Sequence, residues 1–244
     1  MNTKQLRQKI LDLAIRGKLV PQDPADEPAS VLLERIAAEK ARLIKEGKIK
    51  ADKKAKKPSA SSDKSHYGEL PDGWACFSIS EICEPQETRR PAGEYFRYID
   101  IDAIDNKRHS VSEPKQLLTV EAPSRVAKGV NFGETLFSMV RPYLENIAFV
   151  TEDLSDCIAS TGFYVCRPKC DLIFPTYLYY FLTSQYTIDG INAYMRGDNS
   201  NTIRLRKFDT DLNAGTVCNQ AKTCGTVPTE ILYYKKCSSL LKSV

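Results

Sequence analysis

The chain is poor in the residues that most often carry catalysis: of its 244 residues only two are histidine, His66 and His109, and only one is tryptophan. A histidine general base is therefore not expected. No G-x-x-x-x-G-K-[ST], G-x-G-x-x-G or H-E-x-x-H occurs, which removes the common phosphate-loop, dinucleotide and zinc-protease signatures. No apolar run reaches the ~18 residues that a membrane helix requires, and the start MNTKQLRQKI lacks the apolar middle of a secretory signal. A cytoplasmic protein with no membrane partner is expected. The formal charge of +4 is too small to demand a nucleic-acid partner, although it permits one where cations cluster. Cysteine is not scarce, at eight residues, but neither Cys166-x3-Cys170 nor Cys218-x5-Cys224 has paired knuckle spacing with histidines nearby. Free thiols are expected, with no structural bridges and no metal site.

What is present divides the chain into four parts. Residues 1–50 are helical in pattern: KQLRQKILDLAIR places Leu6, Ile10 and Leu13 along one seam and ends at Gly17. Pro21, Pro24 and Pro28 then forbid an uninterrupted helix. A second helix is predicted from about Asp26–Pro28 to Gly47, with Leu32 or Leu33, Ile36, Lys40, Leu43 and Ile44 on its seam and charges of both signs outside it. Two helices this narrow need each other and a third surface. Residues 51–66 are a linker of lysine and serine with almost nothing apolar.

From residue 67 to 208 the pattern changes to short strand-like runs split by turn residues, WACFSISEI, YFRYIDIDAI, ETLFSMV, NIAFV and CIASTGFYVCRP. One helical stretch, PTYLYYFLTSQYTIDGI at 175–191, follows, with Leu178, Phe181, Leu182 and Ile188 at helical spacing. The fold class expected is α+β, a mostly-β domain preceded by a helical spacer. The tail, 209–244, has no sustained period of either kind.

Three patterns offer chemistry. Asp100, Asp102 and Asp105 followed by Glu113-Pro-Lys115 have the residue types that hold a divalent ion and cleave a phosphodiester, but Pro114 interrupts the strand such a site needs. The bland reading is an outer strand face alternating with Ile99, Ile101 and Ile104. VRPYLENIAFV sets the donors Arg141, Tyr143 and Asn146 between apolar residues; arginine engages guanine bidentately and asparagine adenine. A turn with a satisfied arginine is the alternative, and Arg89, Arg90, Lys107 and Arg108 share the ambiguity. AYMRGDNSNTIRLRKF gathers Arg196, Asn199, Asn201 and Arg204, a mixture suited to phosphate and base contacts together. Composition leaves DNA binding, a coiled-coil adaptor that binds protein, and a metal-dependent nuclease all open.

LRQKILDLAIRGKLVPQDPADEPASVLLERIAAEKARLIKEGKIK, then ELPDGWACFSISEI, GETLFSMVRPYLENIAFV, IASTGFYVCRP and RGDNSNTIRLRKF, resemble the amino-terminal half of a specificity subunit of a type I restriction-modification system, with the LVPQDPADEPA block the most specific element. The resemblance runs from residue 1 to about 208 and implies a chain without catalysis of its own. Its target recognition domain would read one part of a split sequence in double-stranded DNA. Its helices would act as spacer and docking element for modification subunits, which bind S-adenosylmethionine, and for the restriction subunit. No cofactor is implied in this chain. A full member would carry a second recognition domain and helical region, and after RLRKF this sequence departs from the family's proline-rich continuation. The expectation is therefore a truncated or frameshifted half subunit that pairs with a second copy of itself.

Overall fold

In a computed structural model the described residues are 2–19, 29–47, 75–169, 173–195 and 213–217. The chain divides into two units, Met1–Phe77 with Gly215–Val244, and Ser78–Ala214. The proline connector and the 51–66 linker lie outside the described residues.

The first unit contains α1 (Thr3–Ile15) and α2 (Ala29–Lys45). Asn2 caps α1: its side chain accepts from the Lys4 and Gln5 amides, and the Gln5 side chain accepts from the Asn2 amide in return. At the other end Gly17 turns left-handed (φ 65°), with its own amide bonded to the Ala14 carbonyl at 3.1 Å and the Lys18 amide to the Leu13 carbonyl at 2.8 Å. These two bonds make a Schellman stop, the physical reason for a glycine there. The buried seam is Leu11 and Ile15; Leu6, Ile10 and Leu13, which spacing selected, are only half-buried. α2 begins after Pro28 and stops before Gly47 (φ 71°), with Leu43 and Ile44 half-buried.

The second unit is α+β. β1 (Ala75–Ser78) belongs to the first unit but for its last residue; after it the SISEI segment departs from the strand reading, because Ser78-x-x-Glu81 is a capping box and residues Ile79–Ile82 form a helical turn, α3. The Glu81 carboxylate accepts from the Ser78 amide at 2.7 Å and its hydroxyl at 2.8 Å. β2 (Tyr95–Ile99), a 3₁₀ turn at Ile101–Ala103, then the hairpin of β3 (Ile104–Asp105) and β4 (Ser110–Val111) follow. YFRYIDIDAI is thus a strand, a turn and a second short strand. β5 (Lys115–Leu118), β6 (Val126–Gly129), β7 (Thr135–Ser138), β8 (Ile147–Phe149), β9 (Ile158–Ser160) and β10 (Phe163–Cys166) complete the body.

Beside the two-stranded β3-β4 pair, this body forms two larger sheets, one ordered β5-β2-β9-β6 and the other β10-β7-β8. Ile99 and Ala159 from the first meet Leu136, Ala148, Phe163 and Val165 from the second in the main core, closed by Val130, Val150 and Leu154. Phe96, Tyr98 and Ile158 turn to a smaller cluster with Leu117 and Val126. Strand alternation explains the split, since Ile158 and Ala159 are neighbours on opposite faces. β7 is buried along its whole length, because α4 (Pro175–Leu182) also packs on β7 and β8.

The helical stretch 175–191 is two helices rather than one. α4 ends at Leu182 and α5 (Gln185–Met195) starts after Ser184. The Ser184 and Thr187 hydroxyls both donate to the Phe181 carbonyl, at 2.6 and 2.7 Å, and the Thr183 hydroxyl to that of Tyr180 at 3.1 Å. Buried hydroxyls thus take the carbonyls that a continuing helix would use. Leu178, Phe181, Leu182 and Ile188 are buried, as their spacing requires. β11 (Asn213–Val217), the described part of the tail, pairs with β1.

Candidate nucleic-acid interface

The loop between β7 and β8 is a 3₁₀ turn at Pro142–Leu144 bracketed by two left-handed residues, Arg141 (φ 49°) and Glu145 (φ 56°). His109, at the end of the β3–β4 hairpin, is the third described non-glycine residue with positive φ (53°). All three therefore meet in one place. Each costs on the order of 1 kcal/mol against ordinary backbone, so the surrounding contacts must hold them there. The Asn106 amide donates to the Leu144 carbonyl at 2.9 Å, and the His109 Nε2 lies 3.9 Å from a Glu145 carboxylate oxygen. Behind them the Tyr179 hydroxyl of α4 donates to the His109 carbonyl at 3.3 Å, and α5 packs against the 3₁₀ turn.

The hairpin turn itself is set by Asp105, whose carboxylate accepts from the Lys107 and Arg108 amides at 2.9 and 3.1 Å. Those two bonds hold its acid below the usual aspartate range, with the Arg108 and Lys107 charges adding to them. Lys107 is exposed, and the Arg108 side chain is 85% exposed, only 3.9 Å from Asp105. So loose a pair contributes little and leaves the guanidinium able to swing to another anion. Arg141 is exposed as well, and Tyr143 and Leu144 beside it are 49% and 40% exposed. The result is a rigid tip with three cations around an apolar and aromatic pair.

The other residues singled out by sequence lie elsewhere. Asn146 is 9% exposed, and its carbonyl accepts from the Ser138 amide at 3.0 Å, so it belongs to the base of the loop. Arg89 is committed internally: it donates to the carbonyls of Val130 (3.2 Å) and Ser155 (3.3 Å) and to the side chains of Glu87 (3.2 Å) and Asn131 (3.1 Å). Arg90 lines an open depression of about 390 Å³ with Tyr95, Arg97 and Gln116, at the start of β2. Arg196, Asn199, Asn201 and Arg204 lie outside the described residues. Sequence reasoning missed Asn106 and Leu144. The D-N turn signal at Asp105-Asn106 was legible, but its meeting with a loop 38 residues away was not.

Arg89 belongs to an ionic network that ties the segment before β2 to the main core. Glu134, 2% exposed, accepts from Arg167, from the Asn131 amide at 2.8 Å and from the Asn131 side chain at 3.1 Å. Arg167 also pairs with Glu87 at 2.7 Å. Gly129 lets this network pack close to β6: a Cβ there would lie 2.9 Å from both Arg89 Nε and Glu87 Oε1, and those side chains would have to shift. The Arg167 hydrogen bond, with Arg89 adding to it, holds the Glu87 carboxyl below the usual glutamate range. A carboxylate depressed in the folded state stabilises above its ordinary value and ceases to as pH falls through the lower folded one. The urea midpoint is therefore expected to hold from pH 7 to about 5 and decline below that, with a smaller decline in Glu87→Gln.

The acidic pattern does not converge. Asp102 pairs with Lys115 at 2.6 Å, which raises the lysine's affinity for its proton, while the Asp100 carboxylate accepts from the Ile101 amide and Asp105 is used by its own turn. Among the described residues no group of three or more His, Cys, Asp or Glu could hold a metal ion, and no helix is long and apolar enough to cross a membrane. Cys83, Cys157 and Cys166 are buried, and desolvation pushes the Cys157 thiol up to about 11.

Comparison with known proteins gives relatives of one kind. The chain is 38% identical over 183 residues to the type I restriction enzyme EcoAI specificity subunit of Escherichia coli, covering 72% of this chain and 30% of that protein. It is 58% identical over 79 residues to the EcoEI specificity subunit of the same organism, covering 32% of this chain and 13% of that one. A chain from a solved structure addressing complex assembly and conformational transition of the type I R-M system superposes with a TM-score of 0.62 at 30% identity, covering 72% of this chain and 44% of that one. No family model matches.

Proposed function

Because the chain is a homologue of type I restriction enzyme specificity subunits, spanning about a third of the length of the EcoAI relative, we propose that it supplies DNA-sequence specificity to a type I restriction-modification enzyme. The observation that carries this reading onto residues is the strained tip. Lys107, Arg108 and Arg141 surround a turn that is fixed from two strands and two helices, so phosphate-directed charge and base-directed side chains are presented from a rigid base. The α+β unit reads one part of a bipartite target in double-stranded DNA.

The helical unit docks the modification and restriction subunits and sets the spacing to the other half-site. Catalysis, and the S-adenosylmethionine it consumes, belong to those partners. A second copy of the chain would complete the two-part site, in the cytoplasm where the target DNA lies. The test is titration of labelled duplexes with the full chain, alone and with its modification subunit. Log affinity should fall linearly with log salt, and one sequence should be preferred at constant salt. A salt-insensitive interaction without sequence preference would leave the protein-binding adaptor as the better account.

A further inference from the structure

We propose that Leu144 is a base-reading residue, and that it reads the C5 methyl group of a thymine in the major groove. The inference rests on the DNA-reading function proposed above and names the chemical group that one position recognises.

Leu144 is held more firmly than an exposed loop leucine needs to be. Its amide donates to the Arg141 carbonyl at 2.9 Å, and its own carbonyl accepts from the Asn106 side chain at 2.9 Å. The left-handed residues on either side of the Pro142–Leu144 turn, Arg141 and Glu145, fix the direction in which the turn presents its side chains. Leu144 is 40% exposed on a tip that it shares with Tyr143, Lys107, Arg108 and Arg141. Nothing about packing asks for strained, cross-strand anchoring of a half-exposed leucine among cations. Strain kept by surrounding contacts collects where geometry is used.

The cations dictate the class of partner, an anionic polymer, and the leucine dictates which feature of it is read. Hydrogen-bonding groups cover the edges of all four base pairs in the major groove, where the thymine methyl stands out as the apolar feature. A leucine placed there cannot hydrogen-bond to any base, so its discrimination has to come from covering that methyl. Burying one methyl is worth about a fourfold change in affinity, smaller than a bidentate arginine contact and large enough to measure.

The test uses the full chain and random-sequence duplexes, from which the preferred sequence is selected. Each thymine in that sequence is then replaced singly by deoxyuridine, which removes the methyl and keeps every hydrogen-bonding group. Wild-type protein is expected to bind one such duplex about fourfold more weakly, and Leu144→Ala is expected to bind it as well as it binds the thymine parent. A wild-type protein indifferent to every such replacement overturns the assignment of Leu144 while the DNA-reading function stands, and this readout does not depend on how the variant folds. Selection that returns no preferred sequence overturns the function itself, and the inference with it.

Discussion

Replacing Glu134 with alanine is expected to destabilise the α+β unit by about 3 kcal/mol, the low end of what is lost when one partner of a buried ion pair is removed. The reason is what would be left behind. Arg167, already half-buried, would keep Glu87 as its one carboxylate partner among the described residues, and Asn131 would lose the acceptor of both its amide and its side chain. Since Asn131 also accepts from Arg89, the loss would spread to the guanidinium that ties the segment before β2 to the Val130 and Ser155 carbonyls. Glu134→Gln keeps an acceptor in place and should cost less than half as much. Urea denaturation followed by far-ultraviolet circular dichroism measures both; a shift in midpoint without a change in slope identifies the effect as one on stability. A double-mutant cycle with Arg167→Met separates the pair from its neighbours, because in that background most of the Glu134→Ala cost should vanish. An alanine variant as stable as the parent would show that the network is idle.

The same residues show where sequence reasoning stops. Gly17 and Gly47 could be placed as helix ends because a left-handed residue after a periodic run has few other uses, and both do have positive φ. Among the strands that were legible, YFRYI, TLFS and FYVC are rich in aromatic and apolar residues; the first two take inner places in the two sheets, and FYVC pairs with TLFS at an edge. β5 and β6, KQLL and VAKG, carry no such signal; they are strands because β2 and β9 offer them an edge to pair with, which is information outside their own sequence. The capping box at Ser78-x-x-Glu81 was written in the sequence, but the alternation of Phe77 and Ile79 that runs into it concealed it.

The candidate interface was legible in part for the same reason. Charge and composition point to Lys107, Arg108, Arg141 and Tyr143 singly, and the fold adds that they share one tip. Composition also points to Arg89 and Asn146, and it has no means of seeing that one guanidinium is spent on four acceptors and the other side chain sits at the base of a loop. A residue's type states what it can donate, whereas only its neighbours determine whether the donor is already spent.

That difference makes the second large effect one of affinity rather than stability. The double variant Lys107→Ala/Arg108→Ala should weaken DNA binding by roughly 60-fold at 0.1 M salt, with fold and base preference intact. Each phosphate contact adds about 0.9 to the slope of log affinity against log salt, which amounts to about eightfold per contact between 1 M and 0.1 M. Two contacts therefore reduce the slope by about two, and the parent and variant affinities should converge as salt rises. Both side chains are exposed, and among the described residues the Arg108 side chain has just the loose pair with Asp105, so their removal should leave the urea midpoint almost unmoved. Arg141→Ala should behave differently: its place beside the fixed turn suits guanine, so the variant should relax preference at one G·C position by about 1–3 kcal/mol and change the slope little. If instead Arg141→Ala lowers the slope by about one and leaves every position as selective as before, Arg141 holds a phosphate, and base reading falls to the turn's own side chains.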